Sequence, residues 1–463
     1  MDRTAAIRPS TSSVSVGETA ATYPRALIAW GAVAVFALAQ VVSTVDRGML
    51  ALMVDLIRHD LHTSDVQIAL LQGFAFALFY VAAGLPLGFL ADRVNRRNLL
   101  IAGVLVWSAA TIACGYARNF EEMFAARLLV GLGEAALAPC AVTIIGDLFP
   151  PSRRGPPMAL YILGSMVAVG LGMAVTGSIL KLAPLGAFDA IPMLRGLAAW
   201  RTAFVVLGAS GAVIALLVTF LKEPVRQGVA IEVREGSALR RAVSYLGENW
   251  SVFLPFYGAV AAYGVGAALA VAWGPAVLIR SYGLTTGSLG QLLGAAQLIA
   301  AILGAIFGAI VIDPVVRRAG IPGKLYLAAA LSLLAIPSTI ACFASSIWLA
   351  TAMIGSVMCV TAVYGSTMLS TMTELVPTNM KGISVSLYAF VLIMIGSTLG
   401  PLAAAQLNGA LFGDPGMLGR SLAIIGIAAL VLSAALTLVA RQRFTKTIAR
   451  SGAFARVVDA NLR

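Results

Sequence analysis

Long apolar runs dominate the chain, and each run ends at a cluster of glycine, proline or charged positions. A helix needs about 20 mostly apolar residues to cross a bilayer, and twelve runs approach or exceed that length. A transmembrane barrel would show short alternating segments instead, so the pattern predicts helices. The predicted spans are 26–54, 65–90, 98–117, 121–149, 157–181, 200–221, 251–279, 286–312, 324–344, 347–375, 382–410 and 420–440.

Composition excludes the soluble alternatives. Of the 463 residues, 60% are hydrophobic and 11% are charged, against about 25% charged residues in a soluble protein. The 4 cysteines lie inside apolar runs, which argues against a disulfide scaffold. The net charge of +12 would suggest nucleic acid in a soluble protein. Here we assign it to loops that face anionic lipid and the cytoplasm, and we expect no nucleic-acid partner.

The distribution of positive charge predicts the topology. With both termini in the cytoplasm, most of the 32 Lys and Arg residues fall in cytoplasmic segments, as the positive-inside rule requires. The polar start of the chain lacks the features of a signal peptide. The predicted domains are a disordered tail (1–24), an N-terminal six-helix bundle (25–221), a cytoplasmic linker (222–249), a C-terminal six-helix bundle (250–440) and a cytoplasmic tail (441–463).

The two predicted bundles repeat each other in sequence. The segments 147–155 and 374–382 share an acid, a proline, a base and a glycine at a constant offset of 227 residues. The segments 92–97 and 313–318 share an acid followed by two arginines at one spacing. Two such agreements predict parallel repeats with a cavity between them near the middle of the membrane.

The loop after the second span resembles the signature of the major facilitator superfamily. It reads Gly84-x3-Gly88-x3-Asp92-Arg93, with Arg96-Arg97 following, and Asn95 stands where that family usually has glycine. The resemblance implies twelve helices in two pseudo-symmetric bundles and a transporter rather than an enzyme. Four glycines of the fifth span indicate either tight helix packing or a hinge: Gly164, Gly170, Gly172 and Gly177.

The same resemblance implies a cytoplasmic gate, in which Asp92 lies near the start of the eleventh span. A carboxylate there interacts favourably with the helix dipole. The gate would close the cytoplasmic side and stabilise the outward-facing state. The alternative is that these positive charges only retain the loops inside. The predicted gate residues are Gly88, Asp92, Arg93, Arg96, Arg97, Asp147 and Arg154.

Four ionisable residues lie deep inside predicted spans: Asp46 and Arg47 in the first, Arg127 and Glu134 in the fourth. Each costs about 2.5–3.5 kcal/mol at the centre of a membrane helix, so such residues face the interior. At 1.5 Å per residue, Asp46 and Arg127 both lie about 10 Å from the midplane, towards the outside. Glu134 lies two turns below Arg127 on the same face, which gives Arg127 two possible carboxylate partners.

This arrangement suggests a proton switch. Protonation of Asp46 or Glu134 in turn would release Arg127 from that partner, and Glu134 at the midplane is the expected main proton carrier. The alternative is a static network that holds the first and fourth helices together. We expect protons as the coupling ion, and no cofactor or metal.

The segment from Arg127 to Glu134, together with Asp46-Arg47, resembles the Spinster branch of the superfamily, which implies export of sphingolipids or lysolipids. The Ala-rich composition suggests a bacterial inner-membrane protein, and we expect a monomer. An amphiphilic substrate would place its headgroup on Arg127 or Arg47. The alternatives are a broad-specificity drug–proton antiporter and an uncoupled lipid facilitator or scramblase. Residues predicted to form the opposite wall are Tyr263, Trp273, Gln297, Tyr364 and Tyr388.

Overall fold

The computed structural model describes residues 23–226, 240, 244–377 and 380–450. In these ranges it contains 12 helices long and apolar enough to cross a membrane, which confirms the predicted fold class. They are α1 (Ala26–Leu52), α2 (Asp65–Arg93), α3 (Arg96–Tyr116), α4 (Phe120–Leu148), α5 (Gly155–Leu185), α6 (Ala199–Thr219), α7 (Trp250–Tyr282), α8 (Thr286–Ile312), α9 (Arg318–Thr339), α10 (Ile347–Leu375), α11 (Lys381–Leu411) and α12 (Pro415–Ile448).

The helix limits agree with the predicted spans within about four residues, except for α9 and α12. Helix α9 begins and ends five to six residues earlier than predicted, and α12 begins five residues earlier and ends eight residues later. The apolar pattern was predicted to stop at residue 440, but the helix continues to Ile448. Ala440 and Phe444 are buried, and Ile448 packs against the same core. Because these residues are four apart, they lie on one helix face, and that face extends the helix through its charged neighbours. Most of the predicted N-terminal tail, the linker and the C-terminal tail lie outside the described residues.

Helices α1–α6 and α7–α12 form two halves. Since each half has six helices, α1 and α7 begin, and α6 and α12 end, at the same end of the bundle. We call this the terminal end and the opposite one the distal end. Near the start of α9 the helical path is kinked at Gly320, whose φ of 55° favours glycine.

At the distal end the two halves pack against each other. One apolar core contains residues of both halves, including Leu52 of α1 and Leu293 of α8. Glycines allow the backbones to approach: a Cβ on Gly170 of α5 would lie 2.6 Å from the carbonyl oxygen of Gly294. Gly177 lies against Gly290 in the same way. Gly170 and Gly177 therefore allow tight helix packing, which is one of the two roles that the sequence left open for the glycines of α5. These contacts close the distal end.

Towards the terminal end the halves separate. The apolar cores there each belong to one half: one spans residues 29–218 and the other spans 252–444. A Cβ added to Gly84, Gly88 or Gly382 would meet nothing within 4 Å beyond its own helix turn. The described part of α2 and α11 therefore faces open space where the sequence predicted a closed gate. The structure is a state open at the terminal end.

Candidate functional site

Two neighbouring residues of α1 and two residues of α4 form a buried charge cluster. Asp46 and Arg47 follow each other in the sequence, so their side chains point about 100° apart around the helix. Arg127 and Glu134 of α4 are seven residues apart and share one face. Each residue of α1 consequently meets a different residue of α4, and two ion pairs form instead of one.

The first pair joins Asp46 to Arg127. Asp46 Oδ1 lies 3.9 Å from Arg127 Nη1, and both side chains are almost completely buried. The hydroxyl of Thr111 on α3 donates a hydrogen bond to Asp46 Oδ2 at 2.5 Å. Among the described residues, no nitrogen of the Arg127 guanidinium has a hydrogen-bond acceptor within range. The pair is loose, although it lies at the common level that the sequence predicted.

The second pair joins Glu134 to Arg47. Glu134 Oε2 lies 3.2 Å from Arg47 Nε and accepts a hydrogen bond from the Ser43 hydroxyl at 2.7 Å. This corrects the prediction that Arg127 lies between two carboxylates, because the carboxylate of Glu134 is held by Arg47. Helix rotation between positions 46 and 47 is the reason, and periodicity along α4 alone does not reveal it.

A break in α4 places Glu134 at an unusual position. The regular helix ends at Glu134 and resumes at Leu137. Pro139 lacks a backbone N–H and its ring crowds the carbonyl group four residues earlier, which accounts for the break. Glu134 therefore lies at an interruption near the middle of α4.

The second pair lines a cavity, whereas the first is enclosed. The cavity has a volume of about 190 Å³. The Arg47 side chain is 29% exposed, and its guanidinium carbon lies 5.6 Å from the Phe76 ring and 6.0 Å from the Tyr80 ring. Tyr161 donates to the amide oxygen of Gln40 at 2.8 Å. The lining residues are Gln40, Ser43, Arg47, Tyr80, Glu134, Leu137, Ala138, Tyr161, Ile162 and Ser165.

The tyrosines predicted to face the substrate from the C-terminal half are core residues instead. The rings of Tyr263 and Tyr364 stack with their centroids 3.6 Å apart, and both residues are buried. The Tyr263 hydroxyl is 2.9 Å from the Thr361 hydroxyl, and the Tyr364 hydroxyl donates to the carbonyl of Ala259 at 3.3 Å. Because their polar groups are satisfied inside the half, neither tyrosine lines the cavity in this state.

Trp273 is also a packing residue, while two other predicted wall residues keep unused polar groups. The Trp273 indole donates to the carbonyl of Pro401 at 3.0 Å and is buried in the distal core. Gln297 is fully buried, and Tyr388 is nearly so. In the described residues neither the Gln297 amide nor the Tyr388 hydroxyl has a hydrogen-bond partner. These two remain candidates for polar contact with substrate.

The predicted gate residues divide into an engaged and an unengaged group. Arg96 binds Asp147 at 2.5 Å and Glu223 at 2.7 Å. Two of the other three basic members contact the N-terminal half: Arg97 donates to the carbonyl of Leu221 and Arg154 to that of Phe149. Asp92 and Arg93 are exposed, and Gly88 faces open space.

Sequence reasoning missed two members of the terminal-end clusters. Glu223, which follows α6, completes the Arg96 cluster. In the C-terminal half, Lys324 binds Glu374 at 2.5 Å and the Ser370 hydroxyl at 2.7 Å. The offset of 227 residues pairs Glu374 with Asp147 and brings Lys324 within one residue of Arg96, so the repeat contained this signal.

Comparisons with known proteins agree with this architecture. A Major Facilitator Superfamily profile matches residues 36–401. The chain is 26% identical, over 91% of its length, to an MFS-type efflux pump of Mycolicibacterium smegmatis, of which it covers 94%.

Relatives with other names match over shorter segments. Protein spinster of Drosophila melanogaster is 27% identical over 62% of this chain, which spans 46% of that relative. Sphingosine-1-phosphate transporter SPNS2 of Xenopus tropicalis is 34% identical over 37% of the chain and is covered over 33% of its own length.

A solved structure of a bacterial homologue of the human lysosomal transporter Spinster has the same fold. That structure is inward-facing and unoccupied, with a TM-score of 0.75 and 21% identity, and the match covers 95% of this chain and 99% of that one.

Proposed function

Since the chain belongs to the major facilitator superfamily and is a transporter, we propose that protons drive its transport cycle through the Arg47–Glu134 pair. The observation that carries this proposal is the position of Glu134, a buried carboxylate at the break in α4 beside a cavity. An ionisable residue at this depth is costly, and it commonly marks an ion or substrate pathway.

The two ion pairs have different roles in the proposed proton switch. Protonation of Glu134 removes its charge and frees Arg47, whose guanidinium already reaches the cavity. Asp46, Arg127 and Thr111 form the enclosed part of the network, which fixes the α1 backbone next to Arg47. Arg127 stabilises Asp46 in this role, and Asp46 is a second protonation site when water reaches it.

The same cavity supports an amphiphilic substrate with an acidic headgroup. A freed Arg47 would bind the headgroup, since guanidinium groups pair well with carboxylates and phosphates. Phe76 and Tyr80 beside it supply apolar surface. Similarity to spinster proteins and to a sphingosine-1-phosphate transporter supports a lipid-like substrate.

We also propose the orientation that the charge distribution predicts, with the terminal end in the bacterial cytoplasm. The structure would then be an inward-open state of a plasma-membrane protein. Arg96, Lys324 and the basic end of α12 lie at the terminal end, which is the side that positive charge favours.

The experiment is uptake of a fluorescent lysolipid into proteoliposomes with and without an imposed pH gradient. We expect gradient-driven accumulation by the wild type, and Glu134→Gln to reduce it to the level reached without a gradient. Glutamine keeps the size and an acceptor for Ser43 but carries no charge. Glu121→Gln, an exposed change at the start of α4, is the matched control. Gradient-driven accumulation by the Glu134→Gln variant would overturn the proton role.

A drug–proton antiporter is the second candidate function, favoured by the efflux pump that matches over nearly the full chain. In that case cationic drugs, and not lysolipids, would respond to the gradient. Lysolipid flux that ignores both the gradient and Glu134→Gln would instead identify an uncoupled facilitator or scramblase.

A further inference from the structure

One guanidinium joins the two halves at the closed distal end. Arg280, near the end of α7, contacts two aspartates of the N-terminal half. Its Nη2 lies 2.6 Å from Asp55 Oδ1 and 3.2 Å from Asp65 Oδ1. Its Nη1 also donates to the carbonyl of Pro415 at 3.0 Å, in the C-terminal half. The Arg280 side chain is only 11% exposed.

The two aspartates come from separate segments of the N-terminal half. Asp55 belongs to the short helix Val54–Asp60 that follows α1, and Asp65 is the first residue of α2. Arg280 therefore ties two segments of one half to α7 of the other. Charge-assisted hydrogen bonds of this kind are about twice as strong as neutral ones. The distal end cannot open without breaking them.

When the contact between Arg280 and the two aspartates breaks, Asp65 keeps an oppositely charged partner but Arg280 does not. Asp65 keeps a cation in its own half, because Arg58 Nη1 lies 3.7 Å away. Of the Arg280 contacts in the described part of the chain, only the one to the Pro415 carbonyl would remain. A half-buried guanidinium with one carbonyl acceptor is poorly compensated.

The C-terminal half holds one acid that can replace the lost partners. Between residues 250 and 440 the sequence has only Asp313, Glu374 and Asp414 as acidic residues. Asp313 follows the terminal end of α8, and Glu374 lies at the terminal end of α10. Asp414 lies at the distal end and immediately precedes Pro415, whose carbonyl Arg280 already contacts. Within the described ranges its carboxylate accepts only a local turn hydrogen bond, from the Gly416 backbone N–H at 2.8 Å.

We propose that Arg280 is the movable charge of the distal gate: it holds Asp55 and Asp65 when the distal end is closed, and it exchanges them for Asp414 when that end opens. The exchange keeps the guanidinium paired in both states, so the transporter passes between them without stranding a charge. This role is independent of the substrate and of proton coupling, since it acts on the conformational equilibrium.

The proposal makes two substitutions act in opposite directions. Arg280→Gln removes the closed-state contacts, and we expect it to raise the ratio of distal-open to distal-closed molecules roughly tenfold or more. Asp414→Asn weakens only the distal-open state, and we expect it to lower that ratio. Asparagine is as good as aspartate at the start of a turn, so the local structure is retained.

The experiment measures spin-label distances across the distal end of the full-length protein. Labels at cysteines replacing Leu185, at the end of α5, and Phe343, between α9 and α10, suit this purpose because both residues are exposed. The four native cysteines are replaced by alanine in the background. Arg195→Gln is the matched control, since Arg195 is a distal arginine that donates to the Asp189 carbonyl of its own half.

Two results would overturn the proposal. If Arg280→Gln gives the same distance distribution as Arg195→Gln, Arg280 does not hold the gate closed. If Asp414→Asn leaves the distribution unchanged or shifts it towards the open state, Asp414 is not the exchange partner. Neither result bears on the proton-coupled function, which is read from flux under a pH gradient.

Discussion

The two halves share one fold but differ in what fills them. The interior of the N-terminal half holds four charged side chains in two ion pairs, Asp46–Arg127 and Arg47–Glu134. At the corresponding depth the C-terminal half holds stacked Tyr263 and Tyr364, whose hydroxyl groups are satisfied within the half. The repeat thus specifies the same fold for both halves, whereas the two buried ion pairs belong to the N-terminal half.

Under the proposed proton-coupled mechanism, the two halves would have different roles. Buried charges are costly unless they are paired, so protonation of Glu134 would act on the N-terminal half. The stacked Tyr263 and Tyr364 carry no charge, so the C-terminal half would follow the change in its partner.

The largest effect is expected from removing a cation in the N-terminal half. Arg127→Met leaves Asp46 buried without its partner and should lower the free energy of unfolding by about 3–5 kcal/mol. Thermal unfolding of detergent-solubilised protein measures this as a reduced midpoint. The double variant Arg127→Met/Asp46→Leu should recover most of the loss. A single variant as stable as the wild type would show that the pair does not matter for stability, and the contrast between the halves would weaken.

An intermediate effect is expected where the halves touch. In Gly170→Ala the new methyl group would lie 2.5 Å from the Leu298 nitrogen and 2.6 Å from the Gly294 oxygen. Overpacking of this kind costs about 1–3 kcal/mol. Gly88→Ala is the control, because that methyl group meets open space. Equal midpoints for both variants in thermal unfolding would mean that the α5–α8 contact tolerates separation of the helices.

The smallest effect is expected in the core of the C-terminal half. Tyr263→Phe keeps the ring stack and loses one hydrogen bond to Thr361, which costs about 0.5–1.5 kcal/mol. The KM for transport should not change, because the hydroxyl does not face the cavity. A KM raised about tenfold without loss of stability would return Tyr263 to the substrate site. Tyr80→Phe, which alters a cavity-lining hydroxyl, is the matched comparison.

Much of the molecule followed from local pattern. Twelve apolar runs predicted the helices, because membrane helices need continuous apolar stretches. The constant offset of 227 residues, which pairs Asp147 with Glu374, predicted the repeat. The buried charges of α1 and α4 were also found from sequence, since ionisable residues inside apolar runs are conspicuous. The end of α12 was missed, because its charged residues hid the apolar face carried by Phe444.

The sequence by itself determined which segments are apolar and which ionisable residues lie inside them, because hydropathy and charge are properties of single residues. Only the tertiary structure decided which side chains contact each other. In the structure, Glu134 forms an ion pair with Arg47 and not with Arg127. Tyr263 and Tyr364 stack in the core of the C-terminal half. Arg280 forms ion pairs with Asp55 and Asp65. Such pairings depend on helix rotation and on contacts between residues far apart in the chain, and a one-dimensional pattern does not contain either.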